Sequence, residues 1–101
     1  TNSLSAPYVL SLYEDRNGLI WICTEGGGLN IFNPLTETFR TYKIQAGNNH
    51  SISNNRVSAV CHDTGNVYWV STFGGGLNIF EYGKGTFQHV SIDTAPAYKS
   101  R

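Results

Sequence analysis

Thr24-Glu25-Gly26-Gly27-Gly28-Leu29-Asn30-Ile31-Phe32 returns 48 residues later as Thr72-Phe73-Gly74-Gly75-Gly76-Leu77-Asn78-Ile79-Phe80, with eight of the nine residues identical. The same offset relates Trp21 to Trp69, Asp15 to Asp63 and Phe39 to Phe87. A single ungapped register aligns residues 3–42 with 51–90. A fixed period of this size is the mark of a repeat architecture, in which each unit buries its faces against its neighbours.

Outward from the glycines, the local chemistry spells short strands. In the first copy the pattern predicts strands over about 9–15, 19–24, 29–33 and 39–44, and in the second over about 57–63, 67–72, 77–82 and 87–92. Asp15-Arg16-Asn17-Gly18 has the composition of a turn, since Asp and Asn bond locally and Gly accepts a left-handed backbone. The run 19–24 is apolar without alternation, which predicts burial on both faces. Pro34 stops the third strand, because it has no N–H to give to a ladder. No segment has helical periodicity. The stretch 45–56 is the longest connection, polar and without a strand pattern.

Four antiparallel strands per repeat describe a β-propeller blade. The predicted fold is all-β: two four-stranded antiparallel β-propeller blades, residues 1–48 and 49–101, forming part of a larger propeller. Trp21 and Trp69 are the expected packing between blades. A propeller closes with about four to eight blades, so two leave apolar faces open. The expected partners are other blades, either of a longer parent chain or of neighbouring chains.

Composition removes several function classes. Seven basic and seven acidic residues give a net charge of zero, which offers no field for nucleic acid or an anionic membrane. No apolar run approaches the roughly 20 residues of a membrane span, and no basic-then-apolar leader pattern is present. Cys23 and Cys61 fall at non-equivalent positions of the repeat. They are expected to be two buried, unpaired strand residues.

The residues that invite catalysis read better as structure. The Gly triplets lie between strands and lack the Gly-Lys-Ser/Thr of a phosphate loop, so they are expected to form tight turns. Asp15 and Asp63 each open a turn and are expected to cap backbone N–H groups. His50, His62 and His89 have no metal-ligand spacing. No nucleophile-elbow motif accompanies the Ser, Cys and His residues. Asn49-His50-Ser51 matches a glycosylation sequon that would be incidental in a bacterial protein. No catalytic residue, metal or cofactor is expected.

If the strands run up and down, both Gly turns and the connection 45–56 share one edge of the sheets. The Asp turns and the turns at Pro34 and Gly83 share the other. The first edge holds the longest loop and positions that differ between copies. Loops on a rigid scaffold carry function, so Glu25, Asn54, Asn55, Arg56 and Phe73 are the candidate ligand-binding residues.

Asp15-x-x-Gly18-Leu19-Ile20-Trp21-Ile22-x-Thr24-x-Gly26-Gly27-Gly28-Leu29-Asn30, with Phe39 beyond it, resembles the two-component regulator propeller repeat. Ser51-Ile52-Ser53-Asn54-Asn55-x-Val57 is similar to that family's link between blades. The chain departs from the pattern where Cys23 and Ser71 replace Gly before Thr, and where Gly65-Asn66 shifts the turn glycine by one. The resemblance implies a periplasmic sensor region of a hybrid two-component histidine kinase of Bacteroides-type bacteria. It implies an oligosaccharide ligand, signal relay to a kinase elsewhere in the parent chain, and anchoring of that parent in the inner membrane. Two alternatives stay open. One is a propeller enzyme, either a sialidase-like hydrolase suggested by Asp15-x-x-Gly18-x-x-Trp21 or a quinoprotein suggested by Asp63-Thr64-Gly65 with Trp69. The other is a propeller for protein interaction.

Overall fold

The computed structural model describes residues 8–90. The strands are β1 (Val9–Glu14), β2 (Ile20–Thr24), β3 (Leu29–Asn33), β4 (Thr38–Tyr42), β5 (Val57–Thr64), β6 (Val67–Thr72), β7 (Gly76–Glu81) and β8 (Thr86–Val90). They form two four-stranded antiparallel sheets, ordered β1-β2-β3-β4 and β5-β6-β7-β8. Each predicted strand is present, with ends displaced by a residue or two. The expected strand over 87–92 runs partly beyond the described residues.

The repeat extends to the hydrogen-bond register. Trp21 stands opposite Ile31 and Trp69 opposite Ile79; Phe32 stands opposite Phe39 and Phe80 opposite Phe87. A bulge between Val9 and Ser11 recurs between Val57 and Ala59. Register in a half-buried sheet is held by the side-chain alternation, so an identical pattern yields identical pairing.

The core lies between the two sheets. Leu19, Trp21, Cys23, Leu29 and Ile31 of the first face Val57, Tyr68, Val70, Phe80 and Phe87 of the second. Trp21 lies 4.1 Å from Tyr68 between ring centroids and meets Phe80 edge-on at 5.6 Å. Each large side chain fully buried there contributes roughly 1.5–3 kcal/mol. The innermost strands are also tied, since the Ser11 hydroxyl donates to the Ser58 carbonyl at 2.8 Å.

Equivalent residues differ in burial according to which face has a neighbour. Val57 is fully buried, whereas Val9, its equivalent, is 44% exposed. Leu12 is 65% exposed, while its equivalent Val60 packs on the core. Trp21 is fully buried, whereas Trp69 is only half-buried. Trp21 has a second sheet in front of it, and Trp69 faces the outer side of the second sheet.

Three expectations need correction. Cys23 is buried as expected and both cysteines are free, but Cys61 is exposed. Cys61 pairs with Trp69 in register and therefore shares the outer face of the second sheet. Asp63 does not reproduce the cap made by Asp15. The glycine of its turn comes one residue early, so β5 continues to Thr64 and the hairpin closes over Gly65 and Asn66, with Gly65 at φ 55°. Asp63 is left exposed within the strand, at a register shift between His62 and Thr64. The connection after β4 is not purely polar surface either, because its Ile52 is buried in the core.

Candidate functional site

The meander places the β2–β3 turn, the β6–β7 turn and the long connection on one edge, as expected. The Gly turns share one hydrogen bond. The Thr24 hydroxyl donates to the Gly28 carbonyl at 2.7 Å, and the Thr72 hydroxyl donates to the Gly76 carbonyl at 2.9 Å. A Cβ on Gly28 would overlap the Tyr42 carbonyl oxygen, and one on Gly75 would lie 2.8 Å from the Ser53 carbonyl oxygen. Glycine is required at both because other backbone passes directly against them.

The connection is fastened to both sheets. The Gly28 N–H donates to the Asn55 carbonyl at 2.8 Å, and the Ile44 N–H donates to the Asn55 Oδ1 at 2.8 Å. Asn78, buried in β7, accepts the Ser53 N–H at 3.2 Å and donates to the Ser53 Oγ at 2.8 Å. The Arg56 carbonyl accepts the Phe73 N–H at 2.9 Å.

Three of the five sequence-predicted residues meet on this edge. Arg56 pairs with the Glu25 carboxylate, and its guanidinium carbon sits 5.2 Å from the centroid of the exposed Phe73 ring. Glu25 and Arg56 also form an isolated β-bridge, which sets the two side chains beside each other. Asn54 and Asn55 are half-buried and serve the connection itself. The Asn54 Oδ1 accepts the Arg56 N–H at 2.8 Å and so orients Arg56.

The opposite edge holds a feature that the sequence reading placed outside the ligand surface. Tyr13, Asp15, Arg16, His62, Gly65 and Tyr68 line a cavity of about 200 Å³ between the sheets. Asp15 is its structural centre. Its carboxylate accepts the Asn17 N–H at 2.9 Å, the Leu19 N–H at 3.0 Å, the Trp21 indole N–H at 2.9 Å and the Tyr68 hydroxyl at 3.3 Å. Burial, then the nearby Asp15 charge and hydrogen bond, push the Tyr68 phenol up to about 12. The hydroxyl therefore stays a donor further into the alkaline range than an ordinary phenol. The sequence marked the Asp15 turn, but gave no sign that a tyrosine 53 residues away would complete it.

Among the described residues, no three His, Cys, Asp or Glu side chains converge in a way that could hold a metal ion. His89 Nε2 is 2.8 Å from the Ser51 carbonyl and His62 Nε2 is 2.9 Å from the Gly65 carbonyl, so both rings bind backbone.

Two meander sheets in the same register apart from the shift between His62 and Thr64, packed face to face with their inner strands adjacent, define the chain as a β-propeller segment. The comparisons specify its kind. Residues 3–26 match the two-component regulator propeller family. The extracellular domain assigned to the hybrid two component system BT3049 from B. thetaiotaomicron is similar over 94% of this chain and 13% of its own, at 28% identity and a TM-score of 0.82. The corresponding domain of BT4673 from the same organism is similar over 81% of this chain and 11% of its own, at 28% identity and a TM-score of 0.67. The chain thus spans about an eighth of the length of these structures. No curated protein matches it.

Proposed function

We propose that the chain is a non-catalytic part of the extracytoplasmic propeller of a two-component sensor, and that its connection edge contributes to ligand recognition. In this reading the ligand is an oligosaccharide, the compartment is the periplasm, and the parent protein is an inner-membrane histidine kinase to which occupancy is relayed. The cluster of Glu25, Arg56 and Phe73 is the observation that carries it. An exposed aromatic ring offers a stacking surface for the C–H face of a sugar, and a carboxylate beside a guanidinium offers an acceptor and several donors for hydroxyl groups. The exposed ion pair contributes only about 0–1 kcal/mol, so exchanging part of it for sugar hydroxyls costs little. Fastening of Asn55 and Ser53 to both sheets holds the cluster in place before a ligand arrives.

A glycan array on the complete parent protein, followed by calorimetry on the best binder, tests this reading. Phe73→Ala and Arg56→Ala are each expected to weaken binding by about tenfold, equivalent to about 1.4 kcal/mol. Unchanged affinity in both variants would remove the cluster from the binding surface. Turnover of a bound sialoside, or a quinone absorbance, would favour the enzyme alternative instead.

A further inference from the structure

The cavity beside Asp15 is walled by both sheets, with Tyr13 and the β1–β2 turn on one side and His62, Gly65 and Tyr68 on the other. The second wall is made where the two copies differ. At the 48-residue offset His62 stands for Glu14, Gly65 for Asn17 and Tyr68 for Ile20. Two of these exchanges bring in a ring, and the third removes a side chain. No atom lies within 4 Å of where a Cβ on Gly65 would stand. The lining is therefore not one that the repeat prescribes.

The walls are fixed before any ligand arrives. Both oxygens of Asp15 are taken, Oδ1 by the Asn17 and Leu19 N–H groups and Oδ2 by the Trp21 indole and the Tyr68 hydroxyl. The His62 ring packs on Tyr68 at 4.9 Å between centroids, and its Nε2 lies against the Gly65 carbonyl. A carbonyl only accepts, so this nitrogen carries the proton and Nδ1 of the neutral ring is left as an acceptor. Other polar groups at the cavity are uncommitted. Among the described residues, the Arg16 guanidinium, the Tyr13 hydroxyl and the Asn17 side-chain amide make no hydrogen bond or ion pair. Donors and acceptors thus stand together, with aromatic ring faces between them. A bound anion would face the buried Asp15 carboxylate and a bound cation the Arg16 guanidinium, and like charges set together are strongly disfavoured. At about 200 Å³ the space far exceeds the roughly 10–15 Å³ that one water needs and falls short of the roughly 300–1,000 Å³ of pockets for drug-sized ligands.

We propose that this cavity binds one small uncharged polyol, a molecule of single-sugar size whose hydroxyl groups meet Arg16, Tyr13, Asn17 and His62 and whose C–H face lies on a tyrosine ring. The site is on the edge opposite Glu25, Arg56 and Phe73, and the inference does not rest on the reading of that cluster.

Calorimetric titration of the complete parent protein tests it, with glucose and sorbitol as neutral probes and gluconate and N-methylglucamine as the anionic and cationic counterparts of sorbitol. The better neutral probe is expected to bind about tenfold more tightly than either charged one. Arg16→Ala, at an exposed position, and Tyr13→Phe are each expected to weaken its binding by about tenfold. Absence of binding by both neutral probes, tighter binding of gluconate or N-methylglucamine, or unchanged affinity in both variants would each overturn the proposal. So would a neutral probe whose affinity falls with Phe73→Ala but with neither cavity variant, since that probe would sit on the connection edge.

Discussion

Asp15 and Asp63 stand at the same place in the repeat, yet only Asp15 ties a turn, its own Trp21 and the next sheet's Tyr68 together. Asp15→Ala would leave buried donors without an acceptor, and the expected loss is about 3 kcal/mol in urea denaturation. Asp63→Ala, at an exposed strand position, is expected to change stability by no more than about 0.5 kcal/mol. Tyr68 gives a pH dependence with a definite sign. Its folded pKa, about 12, lies above the ordinary phenol value of 10.0, so the folded chain holds the proton more tightly than the unfolded one. That contribution is fully present below pH 10.0 and is lost as pH rises towards about 12. Tyrosinate absorbance and circular dichroism followed together should show late ionisation of one tyrosine coinciding with alkaline destabilisation. Tyr68→Phe should abolish the late step. Cys23 shows the same logic, since burial raises its thiol pKa and the Ser11 hydroxyl offsets this only in part.

The glycine turns separate two reasons for having no side chain. Gly26, at φ 90°, has nothing within 4 Å of where a Cβ would stand. Gly28, at φ 79°, would drive a Cβ into the Tyr42 carbonyl. Gly26→Ala is therefore expected to cost about 1 kcal/mol of backbone strain, and Gly28→Ala clearly more, about 3 kcal/mol, because β4 must also move. Thermal unfolding of the two variants side by side checks the order; equal losses would contradict the close approach. The strands themselves were readable because turn residues and apolar runs alternate at short intervals. Ile52 was less readable. A single isoleucine within a polar connection carries no periodicity, and its burial depends on two sheets meeting beneath it.

At the scale of the molecule, neither sheet shields both of its own faces. A chain cut to residues 1–44 is expected to lose cooperative unfolding and to expose Trp21, visible as red-shifted fluorescence. A sharp transition in that piece would show that one sheet suffices. The sequence by itself determined the all-β class, the 48-residue period, the strand positions and the edge on which Glu25, Arg56 and Phe73 lie, because these follow from local turn chemistry and from identity between the copies. Tertiary structure alone decided what copies with the same pattern do differently. It made Asp15 a buried hub and left Asp63 in water, and it buried Trp21 fully and Trp69 by half. It also set the Arg56 side chain against Glu25 and Phe73. The reason is that burial and pairing belong to neighbouring surfaces, and a repeat specifies each surface without saying which of them will be covered.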